Sequence, residues 1–229
     1  MKKFELTNEF ITNMFGTKLF RIRALVEFGD VEAGELGGYV EKESNLGHDD
    51  NAWVYDNAWV YGDAQVSGDA LVYDNARVYD NAWVYGDAQV SGDAWVYGDA
   101  QVSGDARVYG DAQVSGNALV CGNALVYDNA WVYGNALVCG DARVCGNGDY
   151  AYAHGFGSVN RTTTFFRLKD GGVGVRCGCF YGTLAQFRDK IRETHGETKK
   201  AQEYLMLADL MELRFEEDEN EVGNRKYVE

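Results

Sequence analysis

Proline is absent from the whole chain of 229 residues. Proline cannot donate to a strand ladder and is confined to sheet edges, strand starts and bulges. A chain without it fits a protein whose strands are paired on both sides. Histidine is nearly absent too: His48, His154 and His195 are the three, and none lies between Asp49 and Ala153. The long middle of the chain therefore has neither a histidine general base nor a zinc-binding histidine triad. No apolar run reaches the length of a membrane span, so no membrane association is expected. The opening Met1–Thr7 is charged and lacks the apolar stretch of a secretory signal, and a cytoplasmic location is expected. Cysteine is sparse and odd in number, at 5. That count fits free thiols in a reducing compartment better than a disulfide framework.

Positive charge is scarce where the chain is most regular. The formal net charge is -15, and residues 51–146 hold 3 Arg against 12 Asp. Phosphate backbones are bound by clustered Lys and Arg, so direct nucleic-acid binding by this segment is opposed. Solubility of a repetitive β surface accounts for the acid; mimicry of DNA by an inhibitor is the alternative.

What the segment has instead is a period of six. Alanine recurs every sixth residue from Ala52 to Ala142 and valine from Val54 to Val144, 16 times each. Asn or Asp precedes each alanine, and Gly or Asp comes just before that. A short strand with a turn every six residues cannot bury its own apolar face. Coil stacked on coil can, with Val over Val and Ala over Ala. Side chains alternate along a strand, so the residues on either side of each valine point outward. Gly, Asp and Asn suit the turns, where positive φ or local capping is needed. The segment is thus a β-solenoid, flanked by residues 1–50 as an N-terminal cap and residues 147–229 as a C-terminal module.

The outward positions hold all 5 tryptophans, and after the valines come nine Tyr, four Ser and three Cys. If three hexads make a coil, one face carries Trp59, Trp95 and Trp131 beside Tyr61, Tyr79, Tyr97 and Tyr133. That is a larger apolar patch than a soluble monomer usually exposes, and a subunit interface is expected there. Ladders that stiffen the sheet and a ligand platform are the alternatives. Cys121, Cys139 and Cys145 take Ser/Tyr positions and read as small-residue filler.

The valine followed four positions on by a small residue, as in Val54 and Ala58 or Val60 and Ala64, resembles the hexapeptide repeat of the left-handed β-helix superfamily. The resemblance implies a mainly β fold, a single-stranded left-handed triangular β-helix of about five coils, and a homotrimer packed prism against prism. Residues 1–146, with Arg21–Leu25, Gly37–Glu41, Asn45 and Leu46, further resemble enterobacterial and phage-borne hexapeptide proteins described as acetyltransferases. The two enzyme types of the superfamily use a coil histidine base or three zinc-binding histidines, which this repeat lacks, so no catalytic residue and no cofactor is assigned. The Gly37-Gly38 pair is expected to serve backbone geometry.

In the N-terminal cap, Phe4–Leu6, Phe10–Met14 and Leu19–Leu25 read as short strands, with a turn at Phe15–Thr17. In the C-terminal module, Thr162–Lys169 and Gly172–Cys179 predict a hairpin about Asp170-Gly171. Thr183 predicts a helix start and Gly196 its stop, and a second helix is expected from Thr198 to Leu213. Glu216–Glu221 reads as a solvated acidic tail. This small α+β module resembles one found behind hexapeptide arrays in gut bacteria and their phages, with no function attached. Its candidate ligand-binding residues are His154, Arg161, Thr163, Arg167 and His195: Arg161 beside threonines suits a phosphate or carboxylate, while His195 at a helix end is equally explained by the dipole. Cys177 and Cys179, expected on one face of one strand, would make a metal site with His154 and His195, although the spacing is tight. The first functional expectation is a non-enzymatic scaffold presenting C-terminal modules to a protein partner or a small anionic ligand. An acyltransferase drawing its base from His48 or the C-terminal module, and an acidic counter-defence inhibitor, are the alternatives.

Overall fold

The computed structural model describes residues 2–157 and 161–216. It opens with β1 (Phe4–Thr12), β2 (Lys18–Ala24) and β3 (Leu36–Val40). Strand β1 is continuous through a bulge between Leu6 and Phe10, so two expected short strands are one. The unpaired residues bend the strand and leave its pairing intact on either side. Met14 and Phe15 lie in the exposed turn that follows.

Each hexad then makes a two-residue strand, from β4 (Trp53–Val54) and β5 (Trp59–Val60) every six residues to β19 (Arg143–Val144). Strand pairing is parallel and joins residues 18 apart, as in Trp59 to Arg77 and Arg77 to Trp95. Three hexads therefore make one coil, and three ladders run the length of a β-solenoid. Backbone bonds such as Trp59 N–H to Ala76 O at 2.9 Å and Tyr61 N–H to Val78 O at 3.0 Å tie coil to coil. All 16 alanines and 16 valines of the repeat are buried, none above 1% exposed. Burying a valine contributes about 1.5–3 kcal/mol, while fixing each residue's backbone costs about 1–2 kcal/mol. A hexad alone is unstable, and the stack holds because neighbours share one core.

The ladder starts before the regular repeat. Strand β3 pairs in parallel with β5, and Leu46 bridges Val66, so Val40 and Leu46 take valine positions in an irregular first coil. The solenoid has about six coils rather than five. A side chain on Gly37 would meet Val54 O at 2.5 Å, and one on Gly38 would meet Ala58 O at 2.7 Å. The pair is a close-approach device, as expected.

The cap closes the open edge with polar groups. Asn45 is fully buried and donates to Gly62 O and Ala64 O at 3.1 and 2.8 Å. The Lys3 amine donates to Asp50 O and Ala52 O at 3.2 and 2.8 Å. Trp53 departs from the outward rule: Phe4 and Phe28 cover it edge-on, and it is fully buried.

The C-terminal module is a four-stranded antiparallel meander, β20 (Tyr150–Phe156), β21 (Arg161–Arg167), β22 (Val173–Cys177) and β23 (Phe180–Thr183). Helices α1 (Leu184–His195) and α2 (Lys199–Phe215) pack against it. Thr183 caps α1 in a capping box with Gln186, and Gly196 ends it at φ 56. The hairpin and both helices were legible in the sequence; β20 and β23 were not. The module is bonded to the last coil: Leu137 N–H donates to Thr164 Oγ1 at 2.9 Å, Tyr150 OH to Trp131 O at 2.7 Å, and Ala142 bridges Leu168. The acidic stretch beyond Glu216 lies outside the described residues.

Candidate functional site

The 18-residue coil brings the seven expected aromatics onto one sheet, the one that contains β3 and β5. One column reads Trp59, Arg77, Trp95, Gln113, Trp131, and the adjacent column Tyr61, Tyr79, Tyr97, Ser115, Tyr133. The rings stack along the rod. Tyr61 on Tyr79 and Tyr79 on Tyr97 have centroids 5.0 and 5.1 Å apart and planes within 3°. The Arg77 guanidinium lies over Trp59 at 4.5 Å and over Trp95 at 5.3 Å. From Trp59 to Tyr97 ring faces are thus spent on neighbours within the chain. Burial in this stack raises the Tyr79 phenol above its usual range. At β14 (Gln113–Val114) the aromatic columns are interrupted, and Trp131 reaches back so that its Nε1–H donates to Ser115 Oγ at 3.0 Å. Trp131 and Tyr133, 43% and 46% exposed, are the most open rings of this face.

The neighbouring ladder corrects an expectation about cysteine. Cys121 and Cys139, one coil apart with Cα atoms 4.6 Å apart, form a disulfide. Adjacent rungs of a ladder hold side chains at a distance a disulfide can span, so stacking alone brings them together. They are a staple between coils, not filler. Cys145 remains a thiol, close to Asp149 Oδ2 at 3.0 Å; burial first, and Asp149 second, push it up to about 11. Such a thiol is inert at neutral pH.

The C-terminal module sorts the remaining candidates. Arg167 is buried, its Nε 3.5 Å from Asp149 Oδ1 and its Nη2 donating to Phe215 O at 3.0 Å. Thr163 is buried, with its hydroxyl 3.2 Å from Cys177 Sγ. Both side chains are spent on contacts that hold the module together. His154 sits exposed on the edge strand β20, its Nδ1 2.9 Å from Thr162 Oγ1.

The expected metal site is not assembled. Strand β22 ends at Cys177, Gly178 turns the chain at φ 60, and exposed Cys179 lies in that turn rather than on the strand. His154 does not join them, and among the described residues no group of three or more His, Cys, Asp or Glu could hold a metal ion.

Arg161, Cys177, Cys179 and His195 do come together, around a cleft of about 260 Å³. Its floor is Phe180, Phe187, Ile191 and Tyr204, and its rim carries Arg161, Lys190 and His195. The His195 ring stacks on Tyr204 with centroids 5.9 Å apart. Sequence reasoning missed Lys190 and Tyr204. The signal was there for Lys190: Phe187, Lys190, Ile191 and Thr194 fall at helical spacing on one face. Nothing in the sequence marks Tyr204 as reaching across from α2.

Parts of the repeat match the family model described as YdcK Beta solenoid repeat, at residues 64–76, 70–86, 100–116, 112–128 and 120–134. The chain is a β-solenoid repeat protein. The matched stretches lie wholly within the solenoid and bear on its coils alone. No curated protein matches the chain. Among the described residues, no helix is long and apolar enough to cross a membrane.

Proposed function

We propose that this solenoid is a non-enzymatic scaffold that assembles as a homotrimer through its aromatic face and presents its C-terminal modules to a partner. The observation that carries the reading is the bonded junction at Leu137–Thr164, Trp131–Tyr150 and Ala142–Leu168. It fixes the module to the rod, so that rod assembly would present modules in a set geometry and add avidity. The aromatic face, open at Trp131 and Tyr133, suits a self-complementary contact. Left-handed coils and a phage setting, with a host-interaction or counter-defence role, rest on the resemblance of the repeat to phage-borne hexapeptide proteins. Acyl transfer is the weaker reading. The sixteen regular hexads carry no histidine, and the His48 ring is stacked on Phe4 at 4.4 Å with Nδ1 accepting Lys3 N–H at 3.3 Å.

Light scattering of the full chain tests the assembly. A mass of three chains is expected, lost on Tyr79→Lys with Trp95→Lys and retained on Trp83→Lys, which changes a different ladder. A monomer at tens of micromolar, or indifference to the Tyr79/Trp95 pair, would overturn it.

A further inference from the structure

The cleft of the C-terminal module has a chemistry that sets it apart from the rest of the chain. The protein carries a formal charge of -15, yet among the described residues no carboxylate lines this cleft, while Arg161, Lys190 and His195 all do. Lys190 meets Glu193 at 2.8 Å, but that pair is exposed and weakly held. Arg161 begins β21, and its guanidinium lies against Gly178, in the space a side chain there would fill. The glycine, at φ 60, thus both turns the chain toward Cys179 and leaves room for the cation. Below the cations, four apolar or aromatic side chains make the floor. Ligand sites combine an apolar lining with a few placed polar groups, and a guanidinium over such a floor selects a planar anion at one end of an apolar body. The volume, about 260 Å³, admits one ring and a short chain, not a polymer.

We propose that this cleft binds a small organic carboxylate with an aromatic body, of the arylalkanoate class. The carboxylate sits between Arg161 and Lys190, and the ring rests on Phe180, Phe187 and Tyr204. The inference deepens the presentation reading, since it names what the module would take up, and it does not require the trimer.

The test uses the full chain and three probes of one shape: 4-phenylbutyrate, 4-phenylbutyramide and 4-phenylbutylamine, followed by ligand-observed NMR. The acid is expected to bind, the amide about tenfold more weakly, and the amine not detectably. Arg161→Gln and Lys190→Gln should each weaken the acid several-fold. Gly178→Ala should do so without removing a charge, by displacing Arg161. In parallel, alkylation of Cys179 by iodoacetamide, quantified by peptide mass, should slow when the acid is bound, while Cys145 is unaffected. Equal binding of all three probes, no binding of the acid, or an acid affinity unchanged in both charge variants would overturn the proposal. Solution mass measured on the same samples separates the two readings: a trimer that binds no acid sinks this inference alone, and a monomer that binds it sinks the assembly alone.

Discussion

The carboxylate of Asp74 accepts the backbone N–H of Gly92, its counterpart one coil later, at 2.9 Å. Asp80 does the same for Gly98 at 3.2 Å. These residues occupy the corner position of the hexad, and all sixteen corners from Asp50 to Gly140, eleven Gly and five Asp, have positive φ. Glycine adopts that conformation without steric cost. Aspartate tolerates it, and at Asp74 and Asp80 it gains a bond along the stack. At Gly104, with φ +67, a Cβ would sit 3.1 Å from Gly122 N. Gly104→Val should therefore cost about 2–3 kcal/mol, and Gly104→Asp less than about 1 kcal/mol, read from urea midpoints. Equal costs would mean that the corner conformation is not what selects these residues.

Arg77 is the only cation set between two tryptophans of the ladder among the described residues. Each such contact is worth about 0.5–1 kcal/mol at a partly exposed site. Arg77→Ala should cost about 1–2 kcal/mol, whereas Arg107→Ala, at an exposed position of another ladder, should stay within about 0.5 kcal/mol. Chemical denaturation of the two variants side by side distinguishes ring stacking from a general effect of removing positive charge.

The staple between Cys121 and Cys139 closes a loop of 18 residues, which the chain-entropy account values at about 3 kcal/mol. Non-reduced, denatured protein should show three reactive thiols, Cys145, Cys177 and Cys179, and five after reduction. Cys139→Ser should lower the midpoint of unfolding under oxidising conditions and make little difference under reduction. Five thiols without reductant would remove the disulfide.

Stability should rise and then fall between mildly and strongly alkaline pH. Burial pushes the Lys3 amine down to about 8, against opposing pulls from Asp50, Asp49 and Asp69. Between 8 and its ordinary 10.5, the unfolded chain holds a proton that the folded chain has released, so raising pH stabilises the fold. Burial acts oppositely on the Cys145 thiol, held at about 11 against its ordinary 9.0, so that it offsets the Lys3 gain above about pH 9; the phenols of Tyr79, Tyr127 and Tyr150 are likewise held above their ordinary 10.0. Above that value the unfolded chain loses protons first, and stability falls. Lys3→Met should erase the rise and leave the fall. Urea midpoints at intervals from pH 7 to 11 would check both limbs, and a Lys3→Met curve parallel to the parent's would refute the assignment.

The six-residue period by itself determined the buried valine and alanine columns, the turn chemistry at each corner and the solenoid they imply. These are local consequences: every hexad must bury the same two side chains and turn at the same place, so one unit tells the story of all. The capping box at Thr183 and the stop at Gly196 were legible for the same reason, because caps are made by residues next to the helix.

What the tertiary structure decided is which hexads stand over which. Near-identical units do not mark where a coil closes, so only the 18-residue pairing puts Trp59, Arg77 and Trp95 in one column and Cys121 over Cys139. The first coil was hidden because Val40 and Leu46 are out of step with the repeat, and Trp53 is buried because a distant cap folds over it. The C-terminal cleft joins side chains from a strand start, a turn and two helices. Arg161 and Tyr204 are 43 residues apart in the chain, and no local pattern in a sequence records that they line one cavity.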